Sequence, residues 1–139
     1  MGVVARDDGG DFSGPASVRV YIQSVIVNPE LVLAGDTWRY LDNGVAQDAA
    51  WKTPSFDDSS WSSGPGKLGF KTSTGNRGYA TVLSYGPDPY NKYPAYYFRR
   101  PIIVSSLAGM TNIFLEILRD DSVIVYLNGL EVYRNNLPA

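Results

Sequence analysis

The chain has 139 residues, with 12 Lys and Arg against 14 Asp and Glu, and it contains neither His nor Cys. The length suits one domain of ordinary size. The missing residue types exclude Ser-His-Asp and Cys-His catalysis, zinc centres and disulfides, so only carboxylates, Lys, Tyr, Ser or an oxygen-bound hard cation remain for chemistry. The net charge of −2 argues against a nucleic-acid partner, and no apolar run approaches the roughly 18–20 residues of a membrane span.

Residues 1–28 differ in pattern from the rest of the chain. An apolar stub at residues 3–5 is followed by an acidic, glycine-rich stretch, and then Val18, Val20 and Ile22 alternate with polar residues. The pattern predicts a hairpin, which must dock on something because two strands cannot bury a core. It resembles the terminal hairpin of a preceding Ig-like or PKD-like domain; an N-terminal edge hairpin of the following fold is the alternative. Pro29 marks a linker, so the main domain is predicted to span 29–139.

Short strand-forming segments recur beyond the linker, separated by turn residues. The predicted strands are 37–41, 67–70, 79–85, 96–104, 111–119, 122–127 and 130–134. Asn128-Gly129 is the preferred two-residue turn of a type I′ hairpin. Helix is limited to single turns near 57–61 and 105–109. The chain is therefore predicted to be all-β and antiparallel.

Two pairs of adjacent aspartates admit both a structural and a functional interpretation. Asp57 and Asp58 either cap a tight turn or act as cation ligands or an acid/base pair, and capping is favoured because adjacent carboxylates rarely aim at one point. Asp120 and Asp121 either close a turn, with Arg119 pairing a nearby carboxylate, or contribute to a structural Ca²⁺ site. No other cofactor is expected.

The order of several motifs carries a family resemblance. They are Thr37-Trp38-Arg39-Tyr40-Leu41-Asp42-Asn43-Gly44, Trp51, Phe56-Asp57-Asp58-Ser59-Ser60-Trp61, Leu68-Gly69-Phe70, Tyr97-Phe98-Arg99-Arg100 and residues 119–132. Over roughly residues 31–138 the chain resembles galactose-binding-like, jelly-roll β-sandwich modules of secreted bacterial multidomain proteins, and it is similar to the N-terminal sandwich domain of family 2 glycoside hydrolases. Ser122 departs from the Gly usual in these modules. They normally continue with further strands, so we expect a piece truncated at both ends and lacking its last strands.

The resemblance implies a non-catalytic, carbohydrate-binding module of a secreted or cell-surface bacterial protein. Its partner would be a glycan or the neighbouring domains of the same polypeptide, and a structural spacer or protein-docking domain is the alternative. A third possibility is a carboxylate-dependent glycosidase that uses Asp120 with Glu116 or Glu131.

A tyrosine-rich loop is the predicted ligand site. Aromatic rings stack on the apolar faces of sugars while polar neighbours bind hydroxyls, which suits the segment 77–98. The candidate ligand-binding residues are Arg77, Tyr85, Asp88, Tyr90, Asn91 and Tyr93. Tyr90 and Tyr93 are expected to be exposed and to contribute little to stability. Core positions are expected for Tyr79, Tyr96, Phe98 and the three tryptophans, Trp38, Trp51 and Trp61.

Overall fold

The computed structural model describes residues 1–6, 17–23, 30–70 and 78–137 of the chain. Strands dominate these residues, and one four-residue 3₁₀ helix, Ala49–Lys52, is the helix found among them. The strands are β1 (Gly2–Arg6), β2 (Ser17–Gln23), β3 (Glu30–Val32), β4 (Thr37–Leu41), β5 (Ser62–Pro65), β6 (Leu68–Gly69), β7 (Thr81–Val82), β8 (Tyr96–Arg99), β9 (Asn112–Leu118), β10 (Ser122–Leu127) and β11 (Leu130–Asn135). The all-β prediction is confirmed.

The described strands form three sheets. The largest is antiparallel, with six strands in the order β11-β10-β1-β8-β4-β5. A second antiparallel sheet has the order β3-β2-β9, and β6 pairs with β7 in a short parallel ladder.

The β10–β11 hairpin forms where the sequence predicts it. Asn128 and Gly129 have φ of 51° and 88°, as a type I′ turn requires, and Leu127 pairs with Leu130 across the turn. The predicted strand 96–104 ends early, at Arg99. Pro101 explains this because proline cannot donate to a ladder, and Ile103 beyond it is 91% exposed. The predicted strand 79–85 is reduced to Thr81–Val82.

The N-terminal strands pair differently from the predicted hairpin. β1 lies between β10 and β8 in the six-stranded sheet, whereas β2 lies between β3 and β9 in the second sheet. Both strands thus pair with strands from beyond residue 29, while the division of the chain into domains at that point stays a prediction.

The main buried cluster lies against one face of the six-stranded sheet. Trp38, Tyr96, Phe98, Val123 and Val125 project from that face. The other sheets contribute Val20, Val32 and Leu68, and the loops add Phe70 and Leu83. The expected burial of Tyr79, Tyr96 and Phe98 is confirmed, with 4–6% of each exposed. All three sheets therefore contribute to one core.

β9 is an edge strand of the second sheet, within the residues that the structure describes. Ile113 and Leu118 on this strand are 56% and 52% exposed. An edge with unpaired backbone groups and apolar side chains pairs readily with another chain, so we expect concentration-dependent self-association.

A charge on β9 should weaken that association. Leu118→Lys is predicted to raise the dimer dissociation constant about tenfold, roughly 1.4 kcal/mol, because a charged edge resists strand pairing. Leu33→Lys is the matched control, since Leu33 is 51% exposed and follows β3 rather than lying on the β9 edge. Sedimentation velocity across a concentration series measures both variants. An unaltered constant for Leu118→Lys would contradict the role of this edge.

Candidate functional site

The second face of the six-stranded sheet carries the candidate site. Side chains alternate along a strand, so residues next to the core positions point the other way. The ladder register places Arg39 beside Arg99, Arg99 beside Gly2, and Gly2 beside Tyr126. Tyr97 and Ile124 share this side of the sheet with them, and we call it the outer face.

Residues 43–61, here called the covering segment, lie over the outer face. Trp51 in this segment is 4% exposed and packs edge-on against Tyr97 and Tyr126, with ring centroids 5.1 and 5.6 Å apart. A Cβ atom on Gly2 would collide with the Trp51 ring, so β1 approaches the indole closely. Trp61 stacks beside Trp51 at 6.5 Å and is also buried. The expected core positions of all three tryptophans are confirmed.

Arg99 fastens the covering segment to β8. Its Nε donates to Asp58 Oδ2 at 2.8 Å in an ion pair of which the arginine side chain is only 11% exposed. The same guanidinium donates to the backbone carbonyls of Trp51 and Thr53 and lies 5.1 Å from the Phe56 ring centroid. One side chain thus provides hydrogen bonds to two carbonyl groups that lie outside the strands.

The aspartates of the covering segment hold its turns. Asp57 Oδ1 accepts a 2.9 Å hydrogen bond from the Ser59 backbone N–H, which lowers the pKa of the Asp57 carboxyl. Asp48 caps the 3₁₀ helix in the same way, accepting from Ala50 N–H at 2.8 Å. The capping interpretation of Asp57 is confirmed, while Asp58 serves in the ion pair with Arg99.

A cleft of about 440 Å³ opens between the covering segment and the outer face. Residues 44–49, Trp51 and Lys52 form one wall. Tyr97, Ile124, Tyr126 and Arg134 supply the sheet side, and Pro94, Ala95 and Leu137 complete the lining. The Tyr97 hydroxyl accepts from the Gln47 backbone N–H at 3.2 Å. The cleft therefore combines aromatic rings with backbone and side-chain polar groups.

A β-bulge assembles the charged rim of the cleft. Tyr133 pairs with Val125 and Glu131 pairs with Tyr126, so two steps along β11 match one step along β10. The bulge brings Glu131 and Arg134 to the same side although they are three residues apart. Arg134 Nε and Nη2 each donate to a Glu131 oxygen at 2.7 Å.

Tyr126 and Glu131 are electrostatically coupled at this rim. Burial and the Glu131 charge raise the pKa of Tyr126. Hydrogen bonds from Arg134 are the main reason that the pKa of Glu131 is lowered. Glu131 is therefore held as a carboxylate paired with Arg134 at this rim.

The predicted ligand-binding residues that the structure describes lie outside the lining of this cleft. Tyr90 is 97% exposed, and Asp88 Oδ1 accepts a 2.8 Å hydrogen bond from its backbone N–H. Asn91 closes the same turn by donating its N–H to the Asp88 carbonyl at 3.2 Å. Tyr85 packs against Phe70, and Arg77 lies outside the described residues. Pro94 and Ala95, which follow the loop, are where this part of the chain reaches the cleft.

Tyr93 differs from its expected exposure. Its ring is partly buried against the main core and lies beside Gly44 and Gly86, both of which have positive φ. A Cβ atom at either glycine would collide with the ring. Its backbone N–H also donates to the Tyr85 carbonyl at 3.1 Å. Tyr93 is thus a packing residue that joins the 86–94 loop to the start of the covering segment.

Asp120 and Asp121 lie at the β9–β10 turn. Asp121 has φ of 67°, and its backbone carbonyl accepts from the Arg119 and Asn136 side chains. Arg119 also donates to the Asn135 amide oxygen. In the described ranges no three residues of the Asp, Glu, His or Cys types come together as a metal site. A Ca²⁺ site here stays a prediction.

Removing the Arg99 guanidinium should destabilise the protein strongly. Arg99→Met leaves the partly buried Asp58 charge and two carbonyl groups without their hydrogen-bond donor. We expect the free energy of unfolding to fall by about 3–5 kcal/mol. Arg134→Met, which breaks the exposed pair with Glu131, is the control and should cost at most about 1 kcal/mol. Urea denaturation measures both. Similar losses for the two variants would contradict the special role of Arg99.

The two loop tyrosines should differ in their effect on stability. Tyr93→Ala leaves a hole between Gly44 and Gly86 and is predicted to cost about 2–3 kcal/mol. Tyr90→Ala should change stability by less than about 0.5 kcal/mol, because the ring is almost fully exposed. Thermal melts followed by circular dichroism give the comparison. Equal melting temperatures would show that Tyr93 is not packed as described.

No helix in the described part of the chain has the length and apolarity needed to cross a membrane.

Comparison with known proteins found no relative of this chain. No protein-family model matches the sequence, and no curated protein or solved structure is significantly similar to it. The cleft geometry therefore carries the functional argument.

Proposed function

We propose that this chain is a non-catalytic carbohydrate-binding module, with a galactose-binding-like jelly-roll sandwich as its fold, belonging to a secreted or cell-surface bacterial protein. The proposal rests on the cleft over the outer face. Its volume of about 440 Å³ is within the range of small-ligand sites and would hold one or two sugar rings. The family-like order of the motifs and the high strand content support the fold.

The partly exposed Tyr126 ring is the feature that best suits a sugar. A pyranose has an apolar face that packs on an aromatic ring, and Trp51 holds this ring edge-on from behind. Gln47 also lines the cleft and can donate hydrogen bonds to sugar hydroxyls. The position of the Tyr126 ring is therefore set before a ligand arrives.

Tyr126 and Tyr133 provide a matched pair of variants. Both lie on the β10–β11 hairpin, but Tyr126 faces the cleft, whereas Tyr133 pairs with Val125 on the opposite side of the sheet. Tyr126→Ala is predicted to lower glycan affinity about tenfold or more, by analogy with the ~1–3 kcal/mol of base stacking on aromatic rings. Tyr133→Ala should leave affinity unchanged.

A glycan array identifies the ligand, and isothermal titration calorimetry then measures both variants. Melting temperatures verify that each is folded. An array without signal for the folded parent chain would overturn the proposal. Equal affinity of Tyr126→Ala and the parent would place the site elsewhere.

A spacer or docking module for neighbouring domains of the same polypeptide is the second candidate. Large apolar side chains are exposed around an apolar groove of about 600 Å³ beside β9, among them Leu107, Ile113 and Val132. Such a concentration of exposed apolar surface is typical of an interface. Hydrogen exchange of the chain with and without a flanking domain would decide, because docking predicts slowed exchange along β9.

A further inference from the structure

We propose that the ligand of this cleft is an acidic glycan, one whose ring carboxylate pairs with the Lys52 ammonium. This inference rests on the proposed carbohydrate-binding function and specifies its ligand. It follows from the position of Lys52 and from the partners already taken by the other charged groups around the cleft.

The backbone of Lys52 is well fixed. Lys52 is the last residue of the 3₁₀ helix, and the next residue, Thr53, donates its N–H to the Ala50 carbonyl at 2.9 Å. Arg99 holds the Thr53 carbonyl from below. The side chain reaches over the cleft wall, where Nζ lies 4.6 Å from the centroid of the Tyr126 ring. The ammonium therefore stands directly above the surface on which we expect a sugar to pack.

The other charged groups at the cleft are already engaged. Asp48 caps the 3₁₀ helix, and Arg134 is bound by both oxygens of Glu131. Hydrogen bonds from Arg134 lower the pKa of Glu131 most and the Lys52 charge adds a smaller effect, but both oxygens of that carboxylate already accept from Arg134. Among the residues described, Lys52 has a cation–π contact and no ion pair.

A uronic acid supplies a carboxylate that can pair with the Lys52 ammonium. Its ring has an apolar face for Tyr126, and its carboxylate lies at the edge of the same ring. The flexible four-carbon stem of Lys52 lets the ammonium move from the aromatic face to that carboxylate. Because the whole chain carries a net charge of −2, general attraction cannot supply a preference for anions. A preference for acidic sugars would have to come from the ion pair between Lys52 and the ligand carboxylate.

Charge can be removed from the ligand without changing its ring. The probes are trigalacturonic acid and its fully methyl-esterified form. Each is titrated into the parent chain by calorimetry, once at low salt and once at 0.5 M NaCl, where the Debye length is roughly 4 Å. We expect the acid to bind at least about fivefold more tightly at low salt, and we expect salt to reduce that ratio.

Variants of two lysines test the assignment. Lys52→Gln should bring the affinity for the acid down to that for the ester and leave the ester unchanged. Lys92→Gln is the control, since Lys92 lies over Phe70, 5.4 Å from its centroid, and does not line the cleft; its ratio should match that of the parent.

The possible failures separate the two proposals. Equal binding of acid and ester, or a preference that persists in Lys52→Gln, overturns the inference and leaves carbohydrate binding intact. Binding of neither probe together with a neutral glycan bound on the array also overturns the inference alone. Binding of neither probe with a silent array overturns both.

Discussion

The contact of Arg99 with the covering segment is the constraint on which the outer face depends. Residues 43–61 contain no long strand or helix, so few of their polar backbone groups are satisfied by regular structure. One guanidinium, with its five donors in a fixed plane, meets a carboxylate and two carbonyls from different turns. Lysine could not replace Arg99, because an ammonium group cannot present several donors in one plane to separate acceptors. The position of Trp51, and so the cleft wall, follows from this anchor.

The outer face differs from the core face in how it is covered. The core face packs against the second sheet through aliphatic and aromatic side chains. The outer face is only partly covered: Trp51 and Trp61 of the covering segment pack on Tyr97 of the sheet, and the cleft lies beside them. An antiparallel sheet tolerates this arrangement, because one of its faces can meet water. The cleft is the boundary between the covered and the open parts of one sheet.

The sequence predicted features that depend on near neighbours. The Asn128-Gly129 turn, the presence of strands at β4, β9 and β10, and the capping by Asp57 were all readable from adjacent residues. The burial of the tryptophans was also predicted correctly. The cleft was not predicted, because it depends on a bulge in β11 and on Trp51 meeting strands far away in the sequence. The role of Tyr93 depends on Gly44, and the place of β1 between β8 and β10 depends on strands near the other end of the chain; periodicity contains no signal for either.

The packing of Tyr93 between Gly44 and Gly86 has a consequence for the two sides of the cleft. Gly44 lies at the beginning of one wall of the cleft, and Pro94 and Ala95 of the opposite side follow Tyr93 directly. The Tyr93 ring therefore connects the chain that enters one side of the cleft with the chain that enters the other. Moving these two segments apart would expose a ring that is now partly buried and lose its contacts, so this packing opposes opening of the cleft at this end.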